Sequence, residues 1–135
     1  MPKETIDILI VDDQVGIRRL LSEALADEGY QVKMAGSGAE ALNILSSTLP
    51  SLILLDLKMP GMTGLETLQE IRKHHGQLTV VMMTAYSEVE IMDQTMGLGV
   101  KHFLNKPFDL DEVRALVKGL LKKAEGLKLL QQEIC

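Results

Sequence analysis

Three stretches of this chain are apolar almost without interruption, and each stops on a polar residue. Ile6 to Val11 ends in Asp12 and Asp13, Leu52 to Leu55 in Asp56, and Val80 to Met83 in Thr84. A fourth, more mixed run from Val100 to Asn105 leads into Lys106 and Pro107. Between the runs, apolar residues recur at helical spacing. In the first such segment Ile17, Leu20, Leu21, Ala24 and Leu25 form one stripe, and Arg18, Arg19, Glu23 and Asp27 fall largely off it. Short apolar runs alternating with helical segments predict an α/β fold. Strands are expected near 6–11, 31–35, 51–55, 79–83 and 101–105, with helices near 14–28, 38–47, 64–75, 88–97 and 109–123.

Polar punctuation supports these limits. Ser37 with Glu40, Thr63 with Glu66 and Ser87 with Glu90 have capping-box spacing, and Asp109 with Glu112 is a close variant. Gly29, Gly76 and Gly97 stand where helix ends call for a left-handed residue. The runs at 6–11, 51–55 and 79–83 read as strands covered on both faces. The alternating run at Gln31 to Met34 and the mixed run at Lys101 to Leu104 suit sheet edges. Right-handed crossovers then favour a doubly wound five-stranded parallel sheet in the order 2-1-3-4-5. In that order strands one and three are neighbours at the switch point, so Asp12, Asp13 and Asp56 would meet there.

The tail differs. Leu120, Ala124, Leu127, Leu130 and Ile134 keep roughly helical spacing without a sixth strand, so the last helix is expected to continue. Gly119 and Gly126 weaken that expectation by about 1 kcal/mol each relative to Ala. The chain divides into a main domain over 1–122 and a helical extension or linker start over 123–135.

Composition changes the picture in a few places. With 135 residues the chain is long enough for one domain with a real core. Only 3% of residues are aromatic, so the core is aliphatic, and the eight Met residues read as adaptable packing. The net charge of -5, with no basic cluster, argues against direct nucleic-acid binding. A single cysteine, Cys135, excludes an intrachain disulfide and a thiolate metal cluster. No run approaches a membrane span and no targeting segment is evident, so a cytoplasmic protein is expected.

The strand ends carry the chemistry. Taken singly, Asp12 and Asp13 are common helix-capping residues at a strand end. Together with Asp56 at one edge, three carboxylates repel, and at least one would protonate unless a cation joins them. Mg²⁺, a small hard ion that takes carboxylate, water and phosphoryl oxygens, resolves the conflict. Asp56 closes its strand and should project farthest, which makes it the candidate nucleophile. Thr84 is the first hydroxyl after an apolar run, placed to donate to a phosphoryl oxygen, and small Ala85 leaves room beside it. Lys106 faces the carboxylates as a compact positive charge. Pro107 after it tightens the turn, and an X-Pro bond is the kind that adopts the cis form.

Asp12-Asp13, Asp56 before Lys58-Met59-Pro60-Gly61, Thr84-Ala85 and Lys106-Pro107 together resemble the receiver domain of two-component response regulators, over about residues 5–123. Asp-Asp-Gln-Val-Gly-Ile-Arg and Met-Thr-Ala-Tyr are most similar to the single-domain sporulation phosphorelay receivers and to receivers of nitrogen-regulatory-type activators. The resemblance implies a flavodoxin-like three-layer sandwich and a phosphoacceptor switch. It makes Asp56 the phosphoacceptor, with Asp13, Asp56 and the Lys58 carbonyl as Mg²⁺ ligands and Asp12 holding metal-bound water. It makes Thr84 the switch hydroxyl, Lys106 the phosphate-pairing lysine and Phe103 the aromatic whose rotamer follows phosphorylation. For Phe103, plain edge-strand packing stands as an equal reading. The implied donor is a phosphohistidine on a sensor histidine kinase or histidine phosphotransferase. Gln14, Ile17, Leu21, Pro107 and Phe108 are its expected docking surface, with core packing of Ile17 and Leu21 the open alternative. Lys58 and Tyr86 flank the path of an attacking water and are expected to slow loss of the phosphoryl group.

Thr63 stands where many receivers have Asp, but it can still cap a helix. His74, His75 and His102 match no role. A homodimer through the continued helix is also implied, as is either a free-standing phosphorelay protein or the receiver of a longer transcriptional activator. Two other classes compete. An Asp-nucleophile phosphatase would usually carry a second Asp two positions after Asp56, where this chain has Lys58. A flavodoxin-like cofactor binder would need a hydroxyl- and Gly-rich loop after strand one, where Asp12-Asp13-Gln14 would repel a phosphate.

Overall fold

The computed structural model describes residues 3–85 and 89–134, the side chains at 89–90 and 123–134 excepted. Strands and helices alternate along the whole chain: β1 (Glu4–Val11), α1 (Val15–Asp27), β2 (Val32–Ala35), α2 (Gly38–Leu45), β3 (Thr48–Asp56), α3 (Gly64–His74), β4 (Thr79–Thr84), α4 (Val89–Gly97), β5 (His102–Asn105) and α5 (Leu110–Ile134). The sheet is parallel throughout, in the order β2-β1-β3-β4-β5. The two strands with mixed patterning are its edges.

Each face of the sheet buries its own cluster. Leu9, Val11, Ile53, Leu55 and Met82 pack with Ala41 and Leu45 of α2 and with Leu68 and Ile71 of α3. Ile8, Ile10, Leu52, Leu54 and Val81 pack with Leu21 and Leu25 of α1 and with Val113 and Val117 of α5. Successive strand residues point to opposite faces, so a run apolar at every position feeds both clusters. The continuous runs therefore became the central strands, whereas in β2, an edge strand, burial does not follow the alternation: Val32 packs against the core but Met34 is exposed.

β3 starts at Thr48, three residues before its expected limit, and contains Pro50. Proline argues against an interior strand position because it cannot donate to a ladder. It is accommodated here because pairing with β4 begins only at Leu52, so β3 near Pro50 has β1 as its single neighbour. The caps divide as well. Thr63 and Glu66 form the full reciprocal capping box of α3. The Ser37 hydroxyl accepts from the Glu40 amide, but the Glu40 carboxylate turns to the Gly36 amide instead. The Asp109 carboxylate caps the Asp111 amide. Ser87 lies outside the described residues.

Gly29 ends α1 in the left-handed conformation, at φ 96°, as expected. Gly76 and Gly97 do not adopt it. Gly97 remains the last residue of α4, and Gly99, at φ 85°, takes the turn. The Val100 amide then reaches back to the Thr95 carbonyl and that of Gly99 to Met96, which satisfies the helix's last acceptors. α5 runs on to Ile134, past the expected limit of 123, in keeping with the apolar spacing of the tail.

Candidate functional site

The carboxyl ends of β1, β3, β4 and β5 open onto one crevice of about 220 Å³, lined by Asp13, Gln14, Asp56, Lys58, Ala85 and Lys106. Register explains the convergence. Val11 pairs with Leu55, Asp56 with Met83, and Thr84 with Asn105, so these strands finish nearly level and the next residue of each enters the same space. Two backbone contacts tie the loops down there. The Leu57 amide donates to the Met83 carbonyl at 2.9 Å, and the Lys106 amide to the Thr84 carbonyl at 2.7 Å. Gly64 closes the loop after β3, its amide donating to the Leu57 carbonyl at 2.9 Å. A Cβ on Gly64 would collide with the Asp56 carbonyl oxygen and the Leu57 backbone.

Asp12 is fully buried, Asp56 is 4% exposed, and Asp13 is half-buried at the rim. One carboxylate oxygen from each lies within 4.8 Å of the other two, the sole such cluster of potential metal ligands among the described residues. Oxygen-only donors in a crevice open to water suit a small hard cation. The residues therefore fit Mg²⁺.

Lys106 spans the acidic group. Its Nζ lies 2.8 Å from Asp12 Oδ2 and 3.3 Å from Asp56 Oδ1. Burial acts to lower the Lys106 pKa, but the Asp12 hydrogen bond and the two carboxylate charges outweigh it, so the net direction is upward. One cation does not satisfy three carboxylates. Burial, then the Asp12 charge, push Asp56 from 3.8 up to about 6, against the opposing pull of Lys106 and the Lys58 amide. Asp12 uses both oxygens, its Oδ1 accepting from the Gln14 amide at 2.9 Å. The Lys106–Pro107 peptide bond is cis.

Thr84 is buried at the end of β4, and its hydroxyl donates to the Ala85 carbonyl at 3.1 Å. Phe103 is half-buried against the α2–α3 side of the core. Lys58 is exposed at the crevice mouth, and Tyr86 lies outside the described residues. The expected docking surface needs one correction. Leu21 has no exposed surface and packs in the core with Ile8 and Leu25, because it sits centrally on the inward stripe of α1. Ile17, one turn nearer the crevice, is only half-buried, as is Phe108, while Gln14 and Pro107 are exposed. Arg18 was not singled out in the sequence because it falls on the polar side of α1. Its Nη1 donates to the Asp12 carbonyl at 2.7 Å. Its place in the first turn of a helix directly after the acidic pair was the available signal.

The family model for the response regulator receiver domain matches residues 8–118. The chain is 46% identical over 114 residues to the sporulation initiation phosphotransferase F of Bacillus subtilis, covering 84% of this chain and 92% of that protein. It is 40% identical over 111 residues to the DNA-binding transcriptional regulator NtrC of Escherichia coli, covering 82% of this chain but 24% of that longer protein. Among solved structures, the receiver domain of NtrX from Brucella abortus superposes with a TM-score of 0.80 at 35% identity, covering 86% of this chain and 98% of that one. A CheY-like receiver protein from Methanospirillum hungatei gives a TM-score of 0.83 at 28% identity, over 93% of this chain and 98% of that one. With the fold, the acidic crevice and these relatives in agreement, the chain belongs to the response regulator receiver domain family and is a phosphoacceptor of two-component signalling.

Proposed function

We propose that Asp56 is the phosphoacceptor and takes a phosphoryl group from a phosphohistidine on a sensor histidine kinase or histidine phosphotransferase. A carboxylate oxygen of Asp56 forms the new P–O bond in line with the breaking N–P bond, and the electron pair leaves with the imidazole. The observation that carries this reading is the convergence of Asp12, Asp13, Asp56 and Lys106 in one crevice. Mg²⁺ held by Asp13, Asp56 and the Lys58 carbonyl, with Asp12 behind its water, would supply positive charge against the phosphoryl oxygens.

The chain's own groups do the rest. Lys106 already contacts both Asp12 and Asp56 and can follow the incoming phosphoryl oxygens. The product adds about -1.5 to -2 charge beside it, so Lys106 is drawn from Asp12 toward the phosphate. The Thr84 hydroxyl exchanges its carbonyl partner for a phosphoryl oxygen, and Ala85 leaves the space. That movement and a change at Phe103 constitute the switch. The site thereby assists both gain and loss of its own phosphoryl group. Gln14, Ile17, Pro107 and Phe108 form the rim against which a donor helix would rest.

A phosphatase reading is disfavoured because exposed Lys58 occupies the place of the general acid. A phosphate-binding cofactor is disfavoured by the carboxylates after β1. The region over 1–122 serves as the receiver and 123–135 as the start of a linker, where a second copy can pair. A cytoplasmic setting completes the reading.

The test is intact mass after treatment with acetyl phosphate, with and without Mg²⁺. The wild type should gain one phosphoryl group only with Mg²⁺, and Asp56→Asn should gain none. An unaltered wild-type mass would overturn the assignment.

A further inference from the structure

Arg18 lies on the side of α1 where a solvated cation is expected, yet its guanidinium turns back over the loop that enters the helix. Helical side chains tilt toward the N-terminus, so a long one in the first turn can reach the preceding strand end. Arg18 Nη1 donates to the Asp12 carbonyl oxygen at 2.7 Å. The Asp12 amide donates to the Ala35 carbonyl at 3.2 Å. Its two carboxylate oxygens accept from Gln14 and Lys106. Every polar group of this fully buried residue thus has a partner, and Arg18 supplies the one for the carbonyl.

Gly36 makes room for the guanidinium. A Cβ there would stand 2.9 Å from Arg18 Nη1 and 3.4 Å from its Cζ. The same point lies 3.6 Å from Glu40 Oε2, which accepts from the Gly36 amide at 2.9 Å. A guanidinium and a carboxylate therefore share the surface of Gly36, directly behind the acidic loop.

We propose that Arg18 is a positioning residue for the acidic loop, setting through the Asp12 carbonyl where the Asp12 and Asp13 carboxylates stand, with Gly36 keeping the guanidinium in place. This inference rests on the reading of Asp12, Asp13 and Asp56 as a Mg²⁺ site. Without the Arg18 bond a buried carbonyl loses its donor and the loop gains freedom that Mg²⁺ must then remove, so affinity falls. Loss of a nearby positive charge alone would act the other way and tighten Mg²⁺. The sign of the change separates positioning from simple charge.

The experiment measures Mg²⁺ dissociation constants by calorimetry for wild type, Arg18→Met, Gly36→Ala and the double variant, with hydrogen exchange of the Gln14 amide in the metal-free proteins. Gly36→Ala retains Arg18 and sets one methyl group against the far end of its flexible side chain, so it displaces the guanidinium with little risk to the fold. Each single variant should bind Mg²⁺ about tenfold more weakly and exchange the Gln14 amide faster, and the double variant should lose nothing further. Unchanged or tighter binding in Arg18→Met, or losses that add in the double variant, overturns the role of Arg18 alone. A wild type that binds no Mg²⁺ overturns the metal-site reading and this inference with it.

Discussion

At the scale of single residues, Asp56 is held in a state that opposes its charge. Its carboxyl is pushed from 3.8 to about 6, by burial first and by the Asp12 charge second. Between those two values the native protein binds more protons than the unfolded chain, so metal-free stability falls as pH rises through that window. The raised pKa of Lys106 stabilises the fold at neutral pH, and that contribution is lost only as pH rises into strongly alkaline solution. Urea unfolding of the metal-free protein should therefore show Asp56→Asn gaining about 1–3 kcal/mol over wild type at pH 7, with the gain shrinking toward pH 4. A gain independent of pH would contradict this origin. Lys58 belongs to the same scale. With its side chain exposed at the crevice mouth, it should shield the aspartyl phosphate together with Tyr86. The phosphoryl half-life should shorten when both are changed to Ala, and equal or slower loss would reject that role.

At the scale of elements, the site depends on how the strand ends are closed. The box between Thr63 and Glu66 sets the start of α3, and Gly64 lets that start come against the Asp56 carbonyl. A side chain there has no space, and the obstruction is backbone. Gly64→Ala should destabilise the protein by about 1–3 kcal/mol and slow acetyl phosphate labelling, because the loop carrying Asp56 and Lys58 must move. Thermal unfolding and labelling rate measured together would test this; a variant normal in both would show that the approach of α3 is unimportant. The helix limits were legible where capping residues and periodicity agreed, as for α3. The end of α4 at Gly97 also matched its expected limit, but the left-handed turn falls on Gly99, because the Val100 amide must reach back to the Thr95 carbonyl, a contact that periodicity does not report.

At the scale of the whole molecule, the fold joins distant segments through one small cluster of charge. Lys106 and Asp12 are 94 residues apart in the chain and 2.8 Å apart in space. A cation in the crevice would bind the native arrangement and not the unfolded chain, so it should stabilise the protein by mass action. At a hundredfold excess over its dissociation constant, Mg²⁺ should add about 2.7 kcal/mol, seen as a higher melting temperature. Asp13→Asn should lose most of that gain while melting close to wild type without metal, since Asp13 sits at the rim. Equal stabilisation of both proteins would remove Asp13 from the ligand set.

Much of this was determined by sequence alone. Runs apolar at every position must be covered on both faces, so the central strands, the sheet order and the edge holding Asp12, Asp13, Asp56, Thr84 and Lys106 follow from patterning and crossover handedness. The tertiary structure decided what depends on direction within a helix and on the backbone of neighbouring segments. Leu21 and Ile17 share one stripe, and only packing against the sheet makes the first core and leaves the second at the rim. Arg18 and Arg19 are equally polar by pattern, yet only the folded loop offers Arg18 a carbonyl to hold. Hydrophobic periodicity reports which face is buried; it carries no information about which backbone oxygen a polar side chain will meet.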